Sequence, residues 1–395
     1  MRIVHCIGGS LKGGAALGVL NIHHQLKSIG IQSQIFTNDM KTDHIDVIQP
    51  KLFYYKRLIR IILKFKKKIR FYRNKNALYS PFRGAETENN SLNHADILNF
   101  HWVNDEFIDP KFFNELNVPY IITLRDMWWF TAGCHYNVVF NGEKCHNYTQ
   151  DCSSCPMVKI DDNTKNFYID EKRKILGNAA QVVAISHHVK EQFMISDIGR
   201  GIPVKVIENM VDPFYAQTFE HIQKTGICLG ASTNSLYYKG AHIFEQILQF
   251  LNSSGIPIFV FGTVKKEYKN KYKNISFVGR LDKTALRNLY RSCQLFVGTS
   301  VEEAFGKTFI EAYACECRIL GICDTAMEDI MRGLSGTKFV PFRDADSFVS
   351  AIMNEVKKER PMRNDVLKIC ERFTADRAAK EYKKLYKNVI INRNC

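Results

Sequence analysis

Short runs rich in β-branched and apolar residues recur along the whole chain, each followed by a loop and then by a helical spacing of apolar positions. Residues 3–7, 96–101, 120–124, 182–185 and 204–207 form a first series, and residues 227–230, 258–261, 275–278, 295–297 and 319–322 a second. Parallel strands cannot be joined by a tight turn, so this alternation predicts parallel sheets with crossover helices, an α/β fold. A chain of 395 residues also exceeds what one hydrophobic core supports. Two domains are therefore expected, over 1–210 and 211–375, with a C-terminal helix over 376–395 packing back on the first. The seam falls in ENMVDPFYAQ, residues 208–217, where Pro213 and a loss of periodicity mark a linker.

The net charge of +15 points to nucleic acid only until it is mapped. Twelve basic residues and no acid lie between Val47 and Ala85, leaving 43 basic against 40 acidic residues elsewhere. Within that stretch, residues 56–75 place Leu58, Ile61, Ile62, Phe65, Ile69 and Tyr72 at helical spacing, with most lysines and arginines elsewhere on the wheel. A basic amphipathic helix of this kind suits an anionic membrane surface better than a nucleic acid. The first residues are too weakly apolar for a signal peptide, and no run reaches the roughly 18 apolar residues of a membrane span. The expectation is a cytoplasmic protein, peripheral on the inner face of the membrane.

In open α/β sheets ligands bind beyond the carboxyl ends of strands. There, after the strand at 295–297, stands SVEEAFGKTFIEAYA, residues 300–314, with Glu303 and Glu311 separated by seven residues. A helix beginning near Gly306 offers free amides and a dipole to phosphate, Lys307 adds charge, and the glycine permits close approach. The two carboxylates can accept hydrogen bonds from two polyols. Together these features fit a nucleotide sugar. The rival Walker reading of FGKT fails because Val301 stands where its first glycine is required. GGSLKGG, after the first strand, lacks the register of a dinucleotide loop.

The extended motif TSVEEAFGKTFIEAYAC resembles the Glu-x7-Glu signature of the retaining glycosyltransferases of family 4, also called group 1. Also similar to that family are GGAALGVLNIHHQLKSIG, VIENMVD, YYKG and FVGRLDKTALRNLYRSCQLFVGTS, while NFHWVN, TLRDMWWFTAGCHY and CSSCP resemble a subgroup associated with colanic acid and other bacterial surface polysaccharides. The resemblance implies the GT-B fold, two facing Rossmann-like domains. It implies a hexosyltransferase moving a sugar from a UDP or GDP donor to a lipid-linked or oligosaccharide acceptor, without a catalytic cofactor or metal. By the same resemblance Glu311 binds the ribose, Glu303 the transferred sugar, and Gly14, Lys239, Arg280, Phe305, Gly306, Lys307 and Thr308 the rest of the donor. His101, Arg125 and Asp126 join Glu303 as catalytic candidates. Departing nucleoside diphosphate would be stabilised by Lys239, Arg280 and helix amides.

Three departures from the pattern stand out. Arg125 precedes Asp126 where the family has histidine, so a permanent charge replaces an imidazole. Tyr238 precedes Lys239 where the subgroup often has arginine, and Glu316 and Arg318 replace the glycine and proline that usually follow the motif. Cys134, Cys145, Cys152 and Cys155 are spaced for one structural zinc, with His135 and His146 as substitutes for a sulfur. A reducing compartment disfavours disulfides among them. Alternative functions are a nucleotide-sugar epimerase of the same fold and a zinc-containing nucleic-acid-binding protein.

Overall fold

A computed structural model describes residues 1–39, 46–48, 80, 82, 92–104, 107–138, 143–153, 161–216, 224–231, 237–341 and 345–394. The basic helix expected over 56–75 and Cys155 lie outside the described residues. The chain divides into two compact units. The first comprises Met1–Asn137, Cys145–Met210 and the stretch from Ala375; the second comprises Val138–Lys144 and Val211–Thr374.

In the first unit the described strands are β1 (Arg2–Ile7), β2 (Gln32–Phe36), β3 (Val47–Ile48), β4 (Ile97–Trp102), β5 (Tyr120–Leu124), β6 (Gln181–Ala184) and β7 (Val204–Val206). They form one parallel sheet in the order β3-β2-β1-β4-β5-β6-β7. β1 and β4 are adjacent although the chain winds outward from each in opposite directions, which opens a crevice beyond their carboxyl ends. The helix Gly14–Ser28 follows β1 and buries Ile22 and Leu26 against Ile3, Ile97 and Ile121. The C-terminal helix Ala375–Asn394 joins the same cluster through Tyr382, Tyr386 and Val389. Asn99 Nδ2 donates to the Tyr386 hydroxyl at 2.8 Å, and Thr123 Oγ1 donates to Asn99 Oδ1 at 2.8 Å, so the polar groups under this helix are satisfied.

The second unit has β8 (Ile227–Gly230), β9 (Ile258–Phe261), β10 (Ile275–Gly279), β11 (Leu295–Val297), β12 (Arg318–Ile322) and β13 (Thr337–Val340). Its parallel sheet runs β10-β9-β8-β11-β12-β13, again with a switch point, here between β8 and β11. The helix Ala241–Leu251 buries Ile243, Phe244, Ile247, Leu248 and Leu251 on one face, the stripe that fixes it to this sheet.

The ten expected strands are all present, most within one residue. β2, β3 and β13 were not foreseen, because they are short or polar: QSQIF has too few apolar positions to stand out from the preceding loop. The expected first domain ran unbroken over 1–210. The chain instead lends residues 138–144 to the second unit, since Val138 is buried in that unit's core and Lys144 Nζ lies 3.1 Å from the buried Glu302 carboxylate. Among the described residues no helix is long and apolar enough to cross a membrane.

Candidate active site

The loop between β11 and the helix Lys307–Ala314 stands at the switch point of the second sheet. Its partner is the turn Tyr237–Lys239 that precedes the helix Ala241–Leu251. The two are sewn together by backbone: Val301 and Glu302 N–H both donate to the Tyr238 carbonyl, at 2.9 and 3.2 Å, and Thr299 Oγ1 donates to the Lys239 carbonyl at 2.9 Å. Gly240 has φ of 67°, and a Cβ there would stand 1.8 Å from the Thr299 carbonyl oxygen, so only glycine permits this approach.

This stitching brings Lys239 and Glu303 together. The Lys239 ammonium donates to Glu303 Oε1, which also accepts from Ser300 Oγ at 2.9 Å. Burial alone would depress the lysine, but Glu303 and Tyr238 together more than offset it and leave the ammonium raised above its ordinary value. The sequence did not single out Ser300; its only signal was a position three residues before Glu303.

Gly306 begins the following helix at φ 65°, where a Cβ would meet the Met327 sulfur at 2.5 Å. No side chain caps this helix, nor the helices at Gly13 and Gly240, so all three present uncapped N-terminal amides beyond strand ends. Lys307 and Thr308 occupy the first turn and are half-buried. Phe305 packs edge-on against Phe373, ring centroids 5.3 Å apart, so it can offer a ligand only its backbone. Arg280 is exposed just past β10 and donates to Thr263 Oγ1 at 3.0 Å, which places both residues at the same carboxyl edge of the sheet.

Glu311, one turn into the helix, is pushed up to about 7. Burial is the main cause and Asp212 reinforces it, while Lys307 and Lys283 oppose it. Its charge is felt by Tyr215 and Tyr290, both raised chiefly by burial. The two glutamates thus differ: Glu303 is committed to a lysine, and Glu311 is held above its ordinary value by burial and by Asp212.

In the first unit, Gly8 follows β1 and admits no Cβ, which would stand 2.9 Å from both the Asn104 carbonyl oxygen and Phe107 Cβ. The loop after it is held by Asn38, which accepts from Gly9 N–H at 2.7 Å, and by Asp39, which accepts from Leu11 N–H at 2.8 Å. Gly14 opens the helix beyond this loop and is exposed. His101, near the end of β4, and Arg125, just past β5, are in contact, Arg125 Nε and Nη2 lying 3.4 and 3.3 Å from His101 Nδ1. Asp126 turns to a different partner: His135 Nδ1 lies 2.7 Å from its Oδ2, and Trp128 N–H donates to its Oδ1 at 2.9 Å. His135, weighed as a zinc ligand, is instead enclosed by Asp126, Ser80 and Asn104. His5 was not read as part of a site; it stands inside an apolar strand run and carries no pattern to mark it.

Near the cysteines, the buried Lys172 donates to the Trp128 and Thr131 carbonyls at 2.6 and 3.0 Å and lies 3.8 Å from the Trp128 ring centroid. Burial pulls its ammonium down to about 7, and the sulfurs of Cys152 and Cys134, with Asp126, counter that fall. Cys134 and Cys145 are half-buried and Cys152 is buried.

The fold is that of the GT-B glycosyltransferases. Sucrose-phosphate synthase from Thermosynechococcus elongatus is similar over 99% of this chain and 100% of its own, with a TM-score of 0.65 at 14% identity. Anabaena HepE, in its complex with UDP-glucose, is similar over 98% and 100% with a TM-score of 0.62 at 13% identity. The lipopolysaccharide outer core galactosyltransferase WaaB is similar over 100% of both chains with a TM-score of 0.57 at 17% identity. No curated protein sequence matches the chain. Residues 223–357, most of the second unit, match the family model described as glycosyl transferases group 1. The second unit is therefore similar to a group 1 glycosyltransferase domain.

Proposed function

We propose that the protein is a retaining hexosyltransferase that moves a sugar from a nucleotide-sugar donor to a lipid-linked or oligosaccharide acceptor during synthesis of a bacterial surface polysaccharide. The observation that carries this reading is the Glu303–Gly306–Glu311 segment with Lys239 at the switch point of the second sheet. Glu311 accepts the ribose hydroxyls, Glu303 holds the transferred sugar, and the amides at Gly306, with Lys307, Thr308 and Lys239, meet the diphosphate. Arg280 and the Gly14 helix start supply further donors to phosphate. Charge that builds on the departing diphosphate is met by fixed cations and amides, so the residues provide that stabilisation without a catalytic metal. His101, Arg125 and Asp126 are assigned to the sugar and the acceptor. The UDP complexes of HepE favour UDP as the nucleotide, and the likeness to WaaB favours a surface glycan. A thermal-shift screen against UDP- and GDP-sugars tests the reading, because a ligand of the folded state raises the midpoint. Absence of any nucleotide-sugar shift, with no hydrolysis of the donors, would refute it.

A structural zinc at Cys134, Cys145, Cys152 and Cys155 belongs to the same proposal. Four thiolates around zinc carry net negative charge, and the buried ammonium of Lys172 beside Cys152 and Cys134 is of the sign to balance it. Elemental analysis should find close to one zinc per chain, lost in the Cys152→Ser, Cys155→Ser double mutant. Metal-free, folded, active protein would remove zinc from the account.

A further inference from the structure

The loop after β11 that carries Glu303 and Gly306 has a neighbour on each side. On one side it is bonded to the Lys239 turn. On the other stands the chain after β12, residues 323–327. There Ala326 N–H donates to the Glu303 carbonyl at 3.3 Å, and the Met327 sulfur lies 2.5 Å from where a Gly306 Cβ would stand. Donor binding as proposed needs both seams held, because Glu303 and the Gly306 amides must face one ligand together.

Lys144 spans the second seam. Its ammonium donates to the Asp324 carbonyl and lies 3.1 Å from Glu302 Oε2. An ammonium carries several donors, so it can hold both acceptors at once and fix the spacing of the two chain segments. Glu302 is next in sequence to Glu303, and its side chain is 1% exposed, against 24% for Lys144. A carboxylate buried to that degree depends on the cation beside it. Backbone structure places that cation: Lys144 pairs with Val138 in an antiparallel bridge, and Val138 shares a core cluster with Val301, the residue before Glu302. Residues 138–144 are thus tied to the loop both through a common core and through an ion pair.

We infer that Lys144 is a positioning residue for the nucleotide-sugar site, fixing the loop of Glu303 and Gly306 by joining Glu302 to the Asp324 carbonyl. Its bonds run to two residues not assigned to the ligand, so it acts through the loop. A displacement of about 1 Å in groups that orient a ligand is enough for a loss of up to about a hundred-fold. The inference rests on the transferase reading for the identity of that ligand. It adds that the donor loop is incomplete without the segment 138–144, which the continuous stretch 211–374 of the second unit does not contain.

The test is calorimetric titration of the full chain and its variants with UDP-glucose, UDP-galactose and GDP-mannose, at a temperature well below every thermal midpoint. Lys144→Met should weaken binding of whichever donor the wild type takes by about ten-fold or more, and should lower the midpoint, since the Glu302 carboxylate loses its cation. The double variant Lys144→Met, Glu302→Met removes the buried charge as well, so its midpoint should recover, and it stands in for Lys144→Met if that variant does not fold. Its donor affinity should stay low, because nothing then joins Glu302 to Asp324; a residue that served the fold alone would recover both properties together. Wild-type affinity in either variant, with the wild type binding its donor, would overturn the positioning role and leave the transferase standing. A wild type that binds none of the three donors would overturn both.

Discussion

Glu311 ties an electrostatic property to a binding role. Burial pushes its carboxyl up to about 7, and in the proposed role the ionised form is the acceptor for the ribose. Protonation therefore competes with the donor. Affinity for a nucleotide sugar, whose esterified diphosphate does not titrate in this range, should fall about ten-fold between about pH 8 and pH 6. Glu311→Gln should bind weakly at all pH values, and a wild-type profile that stays flat would overturn the assignment. Glu316→Ala serves as the control. That side chain lies 2.6 Å from Arg363 and 3.5 Å from Arg360 on a half-exposed surface, a pairing worth about 0–1 kcal/mol, so donor affinity should not change. Glu316 also has φ of 64°, the left-handed region that explains why a glycine is usual at this place in the resembled pattern. Gly240→Ala is the opposite case. A methyl group 1.8 Å from a carbonyl oxygen must push the Lys239 turn off the Thr299 loop, at a cost of about 1–3 kcal/mol in stability and most of the donor affinity. Unchanged melting and binding in that variant would show that the two loops are not coupled.

At the scale of elements, the C-terminal helix holds the first unit's sheet through Tyr382 and Tyr386, both essentially without exposure. Tyr386→Ala should destabilise the protein by about 3–5 kcal/mol, the usual loss for a large buried aromatic. Tyr386→Phe should cost about 1 kcal/mol through the unpaired Asn99 amide. Chemical denaturation measures both, and equal losses would mean that the ring contributes nothing beyond its hydroxyl. Strand positions were legible from the sequence because fully buried parallel strands are continuous apolar runs, such as Ile319–Ile322 within β12. β13, at an edge and half-exposed, lacks that signature. The donor loops were legible because glycine, lysine and glutamate cluster there in sequence. The His5–His101–Arg125 and Asp126–His135 groups were not: their members come from separate strands and loops, and no spacing along the chain announces a contact made across a sheet.

For the whole molecule, the uneven charge makes a prediction that does not depend on the site. Nearly all of the excess positive charge lies between Val47 and Ala85, and such a concentration should bind anionic liposomes. Binding should weaken as salt rises and vanish when Lys64, Lys66, Lys67 and Lys68 become Glu; sedimentation assays that show no binding at low salt would leave the segment without a membrane role. The units are also not built in the order in which the chain is made. The first unit closes with the stretch from Ala375, and the second includes residues 138–144, drawn from within the first. During synthesis the leading half therefore leaves the ribosome with part of the apolar face of its sheet uncovered, and must keep it from other chains until the helix Ala375–Asn394 arrives. Maturation of the first unit waits on the helix Ala375–Asn394, so fragments ending near Met210 should aggregate.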